Sequence, residues 1–468
     1  MRSTLLCLLV LAQAARAQDD VLVERRPGTT DAGYGFLQYL PPDYSTTPGQ
    51  HAALVLFLHG AGEVIANGPL WEQMVKHGPA KLLATGATIT TLDGGTREAR
   101  GGSRIFADEN AIVLAPQSPG GWNTATVNQL MTWAHHTFRI DPRRVYVTGV
   151  SMGGAGTWNY VSGQGRERIA AALPVCGAAN PGSGARFLKT PVWAFHSWGD
   201  PTVNRNQSIG WVSNLGDAWA GSDIASVMTG YPHADGGTNA PATGPLTALY
   251  ADAGFTWHAG TVGSGNSPVR LTMYVDNAHD SWTRTYANPA SWEWLFRHQL
   301  PVHPDFESAV VLDDLDRSFS TDGGAWSRVQ PSAGGFYGWE ALEAPASGNP
   351  SARFAGEVPN PGVYGLSASG VGGANRSPST VTIQSAAGTS TLAWDQLAGG
   401  VRRLGEVPVS GAFVVTLTTT ATSGMLSADA FALKFVRPLD AGVPSMPDAG
   451  TTADAGTTVD AGTTVDAG

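Results

Sequence analysis

One stretch constrains this chain more than any other: Tyr146-Val147-Thr148-Gly149-Val150-Ser151-Met152-Gly153-Gly154 sets a serine between glycines directly after a β-branched, strand-like run. A strand that turns this tightly into a helix pushes the serine into strained backbone angles and leaves its hydroxyl exposed. Gly149 and Gly153 carry no Cβ, so neighbouring backbone can approach them without clash. The helix expected over Gly153 to Val161 directs its N-terminal N–H groups at the place where negative charge develops on an attacked carbonyl.

Around this turn, apolar β-rich runs alternate with helical or loop stretches. Ala53 to Leu58, Ala111 to Ala115, Arg144 to Val150, Ala171 to Val175, Pro191 to Phe195 and Val269 to Val275 read as buried parallel strands. Gln129 to Phe138 and Pro289 to Gln299 read as helices. The alternation predicts a doubly wound, mostly parallel α/β sheet with its chemistry in the loops at the carboxyl ends of the strands, and together with the serine turn it resembles the α/β-hydrolase arrangement. Near His303 to Phe306 the texture changes to short alternating segments such as Thr380-Val381-Thr382-Ile383 and Phe413-Val414-Val415-Thr416-Leu417, which predicts an all-β sandwich. From about Asp440 an Asp-Ala-Gly motif recurs with Thr-Thr and has no large apolar residues to bury, so it reads as a disordered spacer. Its carboxylates are evenly spread rather than gathered in one loop, which argues against a calcium site. The expected divisions are 1–17, 18–303, 304–438 and 439–468.

Residues 1–17 begin Met1-Arg2-Ser3, continue through an apolar run from Leu5 to Leu11 and end in Ala15-Arg16-Ala17. That is the pattern of a secretory signal peptide, too short to span a bilayer, and it predicts a secreted or cell-surface protein with no transmembrane segment. Removing it leaves Cys176 as the single cysteine, so no internal disulfide can form; Cys176 reads as a small buried hydrophobe at a strand end. The formal net charge of -10 argues against nucleic acid or an anionic membrane as partner.

A serine hydroxyl needs a base to take its proton and an acid to hold that base in the right tautomer. With Ser151 as nucleophile, the chain order nucleophile, acid, histidine is met by Asp200, in the loop after Pro191 to Phe195, and by His279, just beyond the last strand. Asp276 and Asp280 flank the base without following a separate strand of their own, and read as loop or capping residues. His196 reads as a structural ring beside the acid loop. His135 and His136 lack the spacing of a metal pair, and neither a metal nor a cofactor is expected. The oxyanion donors expected are the backbone N–H groups of Met152 and of Ala61, the latter in Leu58-His59-Gly60-Ala61-Gly62-Glu63, where His59 braces the loop.

The Leu58 to Glu63 string, Ala115-Pro116-Gln117 with Trp122, Arg139-Ile140-Asp141-Pro142-Arg143-Arg144-Val145-Tyr146 and His279-Asp280-Ser281-Trp282 together resemble secreted esterases related to polyhydroxyalkanoate depolymerases and feruloyl or acetylxylan esterases. The resemblance spans roughly residues 35–299 and implies the same roles for Ser151, Asp200 and His279, with an ester, polymeric or small, as substrate. It departs from the family at Gly221 to Ser267, an insertion-like region whose position lines acyl or leaving-group pockets. Trp122, Trp158, Trp198, Tyr231 and Trp257 are expected to form an aromatic wall for a sugar, phenolic or polyester group, although any one of them taken singly reads better as a core or loop-anchoring aromatic. Val311-Leu312-Asp313-Asp314, Trp326, Gly334 to Gly338, Gly362-Val363-Tyr364 and Ser427-Ala428-Asp429-Ala430 resemble a golvesin-type, carbohydrate-binding-module-like sandwich. That resemblance implies a polysaccharide or polyester surface as partner. The triad does not separate ester from amide, so a peptidase or thioesterase stays open, as does a binding protein on an inactive scaffold.

Overall fold

The computed structural model describes residues 22–46, 51–84, 88–90, 96–98, 102–179, 190–218, 246–252, 255–262, 268–274, 277–316, 318–329 and 337–439. The proposed leader, Tyr231, most of the Gly221 to Ser267 stretch and the Asp-Ala-Gly repeats lie outside these residues.

In chain order the strands of the first half are β1 (Leu22–Arg25), β2 (Gly35–Tyr39), β3 (Ala52–Leu58), β4 (Thr88–Thr90), β5 (Thr96–Glu98), β6 (Ala111–Gln117), β7 (Ile140–Val150), β8 (Ala171–Val175), β9 (Val192–Ser197), β10 (Leu246–Asp252), β11 (Phe255–Val262) and β12 (Val269–Tyr274). The helices are α1 (Leu70–Met74), α2 (Gly78–Leu83), α3 (Gly102–Asp108), α4 (Thr124–Thr137), α5 (Met152–Ser162), α6 (Asn206–Ala218), α7 (Trp282–Ala287) and α8 (Pro289–Phe296). Among the described residues ten strands form one sheet in the order β1-β2-β6-β3-β7-β8-β9-β12-β11-β10, and β4 pairs with β5 in a separate two-stranded sheet. From β6 to β12 neighbouring strands are parallel, whereas β2 meets β6 and β11 meets β12 antiparallel.

The central strands are apolar on both sides because helices cover both faces. Leu54, Leu56 and Leu58 of β3 point to one face, under Val127, Leu130 and Met131 of α4 and Trp158 of α5. Val55 and Phe57 point to the other, under Met74 of α1, Phe106 of α3 and Trp292 of α8. Local signals set the helix starts. Asn123 Oδ1 accepts from the N–H groups of Ala125 (2.9 Å) and Thr126 (3.2 Å) and caps α4. Asn288 caps α8, which has a proline in its first turn.

Two expectations change. The region around Gly221 to Ser267 was expected to line a pocket; within it, β10 and β11 instead extend the sheet edge as an antiparallel pair. The strand expected over Arg144 to Val150 begins earlier, at Ile140, because the Ala52 to Ile140 pairing with β3 carries it through Pro142.

In the β domain every pair of named strands among the described residues is antiparallel, with one isolated parallel bridge between Arg376 and Met425. A four-stranded sheet (310–313, 430–438, 362–370, 400–409) and a five-stranded sheet (320–322, 351–357, 412–418, 379–385, 388–394) share a core of Phe354, Tyr364, Leu366, Val381, Trp394, Val415 and Phe431, beside a small three-stranded sheet. It docks at the amino-terminal ends of the central parallel strands. Trp339 joins the core beneath α4: its ring stacks on His135 at 4.4 Å, and its Nε1–H donates to Thr132 Oγ1 at 3.0 Å. Beside it, Glu340 contacts His136 and accepts from Arg328 at 2.7 Å. His51, just before β3, faces Asp316 at 3.5 Å.

Candidate active site

At the carboxyl ends of β3, β7, β9 and β12 the structure brings four loops together. Ser151 stands between β7 and α5 with φ 52° and ψ -114°, a conformation a non-glycine residue adopts only when its surroundings enforce it. The enforcement is visible. Ser151 N–H donates to Val175 O at 2.9 Å, and its own carbonyl accepts from Ala155 N–H at 3.0 Å. A Cβ on Gly153 would lie 1.8 Å from Leu58 O, and one on Gly149 would lie 2.3 Å from Gly153 O, so both positions must be bare.

His279 Nε2 lies 2.9 Å from Ser151 Oγ, and His279 Nδ1 lies 2.7 Å from Asp200 Oδ2. An ionised carboxylate only accepts, so Nδ1 carries the proton and Nε2 turns its lone pair to the serine hydroxyl. Asp200 is fully buried in its side chain while His279 is 21% exposed, so the base alone of these two meets solvent. Burial pushes the Asp200 carboxyl upward, but hydrogen bonds from His196, His279 and the Val203 and Thr202 N–H groups outweigh it and hold the group well below the usual carboxylate range. The Thr202 and Val203 N–H groups donate to Oδ1 at 2.8 and 3.0 Å. His196 is wholly buried: its Nδ1 meets Ser208 Oγ at 2.8 Å, while its Nε2 meets Val203 O at 3.0 Å and Asp200 Oδ2 at 3.3 Å. It stiffens the acid loop. Asp280 receives the Thr283 N–H at 2.8 Å and caps α7.

The loop after β3 has its carbonyls tied down in series. Trp122 Nε1–H donates to His59 O at 3.0 Å, His59 Nδ1 to Gly60 O at 2.6 Å, Asn67 Nδ2 to Ala61 O at 3.3 Å and Gly62 O at 2.9 Å, and Gln117 Nε2 to Glu63 O at 3.0 Å. His59 Nε2 accepts from Ser118 N–H at 2.9 Å, which fixes Nδ1–H as the donor to Gly60. Burial pushes the His59 imidazole down to about 4, so it stays neutral. In a trans peptide the carbonyl and the following N–H point in opposite directions, so anchoring Gly60 O turns Ala61 N–H the other way. A Cβ on Gly60 would lie 3.6 Å from Ser151 Cβ, which places this loop against the serine. Met152 begins α5, where an N–H has no intrahelical partner.

The aromatic wall is not assembled as expected. Trp158 is 0% exposed and stacks on Trp211 at 4.8 Å beneath the helices, and Trp198 is 1% exposed under the Arg205 guanidinium, 4.1 Å above its ring. Neither can touch a ligand, because each fills core volume. Trp122 is half-buried, with its indole committed to His59 O and its ring against Gly156. The backbone of Trp257 lies in β11 at the sheet edge; its side chain is outside the described residues. Three polar or aromatic residues at the site had no role assigned from sequence: Glu63, which is buried, and His77 and Trp282, which are partly buried. Glu63 and Trp282 close the two motifs that carry the loop and the base, which is the signal that singles them out. His77 has no motif.

Cys176 Sγ, Asp200 and His279 place ligand atoms within 4.8 Å of one another. The thiol is buried and pushed upward by that burial, and the carboxylate and imidazole are engaged with each other and with Ser151. The donor set is therefore that of a hydrogen-bonded triad. No helix among the described residues is long and apolar enough to cross a membrane.

The model of the Esterase family, described as "Putative esterase", matches residues 29–166, which include Ser151. A bifunctional acetylxylan esterase/xylanase of Neocallimastix patriciarum is 25% identical over 241 residues, 48% of this chain and 31% of that protein, so the chain spans about a third of its length. A thermostable esterase of known structure is 24% identical with a TM-score of 0.39, covering 60% of this chain and 63% of its own. The acetyl xylan esterase from Aspergillus awamori is 12% identical with a TM-score of 0.37, covering 58% and 99%. The region from β1 to α8 has the α/β-hydrolase fold, and a β domain follows it.

Proposed function

We propose that the chain is a serine esterase that hydrolyses carboxylic esters through an acyl-enzyme on Ser151. The observation that carries this reading is the unbroken path Asp200, His279, Ser151, at 2.7 and 2.9 Å, on a strained strand-to-helix turn. His279 Nε2 takes the hydroxyl proton as Oγ bonds to the ester carbonyl carbon, and the carbonyl π pair becomes an oxyanion. The Met152 and Ala61 N–H groups are the donors assigned to that oxyanion, each worth roughly 3 to 4 kcal/mol of transition-state stabilisation. The oxyanion then collapses, the bond to the alcohol oxygen breaks, and His279 returns its proton to that oxygen. Water, deprotonated by His279, attacks the acyl-enzyme; the acid leaves and Ser151 regains its proton. Asp200 remains ionised throughout and steadies the imidazolium.

The similarity to an acetylxylan esterase makes acetyl esters of a polysaccharide the first substrates to test. Export through the leader at residues 1–17, and attachment to a polysaccharide or polyester surface through the sandwich, belong to the same proposal. Purified protein is assayed on short and long p-nitrophenyl esters, methyl ferulate and acetylated xylan. Ser151→Ala is expected to lower kcat by about 10⁴-fold or more without unfolding the protein. Equal turnover by Ser151→Ala and the wild type rules the reading out.

A further inference from the structure

The base and the oxyanion loop stand on strands that are not neighbours. Their parent strands β12 and β3 are separated in the sheet by β7, β8 and β9. Sheet hydrogen bonds do not set the spacing of loops that project beyond strand ends, yet a transition state needs its proton acceptor and oxyanion donors placed to within about 0.5 Å. Something above the sheet has to tie the two together.

A chain of side chains does run between them. The Trp282 ring stands edge-on to the His279 imidazole, with centroids 5.2 Å apart and planes at 88°. Trp282 Nε1–H donates to His77 Nδ1 at 3.1 Å. An indole nitrogen can only donate, so His77 Nδ1 must be unprotonated and the ring hydrogen sits on Nε2. That Nε2 faces Glu63 Oε1 at 3.6 Å. The other carboxyl oxygen, Oε2, lies 3.1 Å from where a Cβ on Gly60 would be, so the carboxyl packs against the Gly60 backbone, and the Glu63 N–H donates to Gly60 O at 3.3 Å. Gly60 supplies the carbonyl half of the peptide whose N–H belongs to Ala61. The first link is directional, an indole N–H donating to an imidazole acceptor, and it turns the protonated Nε2 toward the carboxyl, which approaches it at 3.6 Å and packs against Gly60.

The surroundings favour a neutral His77. Burial pushes its imidazole down to about 4, against the charge of Asp280 and with Lys81 and Lys76 adding to the fall. Lys76 also faces Glu63, opposing the rise that burial gives that carboxyl. A neutral ring with one nitrogen fixed as acceptor is the form the chain requires.

We propose that Trp282, His77 and Glu63 are positioning residues that hold the base His279 and the oxyanion loop at their working separation. The proposal rests on the reading of Ser151 as nucleophile. Trp282→Phe keeps an aromatic ring against His279 and His77 but deletes the indole N–H; Glu63→Ala removes the side chain that lies between His77 and Gly60; Glu63→Gln keeps its size and an acceptor oxygen toward His77.

Two measurements on the full-length protein decide it. Nitrogen-15 spectra of histidine-labelled protein are expected to show His77 protonated at Nε2 alone, and to show mixed tautomers in Trp282→Phe. In ester hydrolysis, Trp282→Phe and Glu63→Ala are expected to lower kcat about 10- to 100-fold with KM changed less than about twofold, while Glu63→Gln recovers activity to within about threefold of wild type. Melting temperatures are expected to stay within about 2 °C of wild type, since a loss through folding alone would move them further. A His77 protonated at Nδ1, a wild-type kcat in both deletion variants, or a kcat loss that tracks the melting temperature overturns the proposal. A wild-type protein that hydrolyses no ester counts against the Ser151 reading instead, and the histidine spectra still decide the chain.

Discussion

At Ser151 the fold holds a backbone conformation that costs on the order of 1–3 kcal/mol and that the surrounding contacts over-determine. The neighbouring glycines are part of that enforcement. A methyl group on Gly153 would meet Leu58 O at 1.8 Å and His59 O at 2.6 Å, backbone atoms at the end of β3 and the start of the loop after it, which cannot rotate aside. Gly153→Ala is therefore expected to displace that loop and lower kcat by about 10²-fold or more, even where circular dichroism shows a folded protein. The meeting of Ser151, Asp200 and His279 was legible in the sequence because each follows an apolar run in a fixed order along the chain. His77 was not, because its partner Trp282 comes from the far end of the sheet and no local spacing relates them. Trp158 and Trp198 were misleading for a related reason: proximity to Ser151 and Asp200 in sequence says nothing about which side of α5 or of the acid loop a ring faces.

At the scale of single elements, the six central parallel strands could be read as apolar runs because burial on both faces leaves no polar alternation to confuse the signal. The edge pairs β1 with β2 and β10 with β11 were not read, since short or polar edge strands lack that uniform apolarity. In the β domain the strand at 310–313 ends in an acidic turn that packs against Asp429. Asp314 and Asp429 are 2% and 1% exposed. Burial, with the charges of Asp313 and Asp429, raises the Asp314 carboxyl far above its ordinary value, although Arg328 approaches it at 3.2 Å. The sign follows directly. Below about pH 4 both folded and unfolded forms are protonated; above it the unfolded chain releases a proton that the folded one keeps, so stability falls as pH rises. Asp314→Asn is expected to flatten that fall in thermal melts between about pH 4 and about pH 8. Parallel curves for variant and wild type would remove this account of the turn.

For the molecule as a whole, the β domain sits at the end of the sheet opposite the triad. His51, Arg139 and Asp141, at the starts of β3 and β7, line the boundary, where a cavity of about 440 Å³ lies between the two halves. Trp339 spans that boundary with 1% of its surface exposed, and the Arg168 guanidinium lies 5.3 Å from its ring. Trp339→Ala is expected to cost about 3–5 kcal/mol and to split calorimetric unfolding of the full chain into two transitions. A single transition with an unchanged midpoint would show that the halves are joined by other means. This docking was invisible in sequence, where nothing near Trp339 marks its partner on α4.

The central claim is that Ser151 is a nucleophile activated by His279. Treatment of the folded, full-length protein with a fluorophosphonate, followed by peptide mass spectrometry, tests it most directly. A covalent adduct is expected on Ser151, absent in Ser151→Ala and strongly slowed in His279→Ala. No adduct on the folded protein, or one that persists in Ser151→Ala, would contradict the claim.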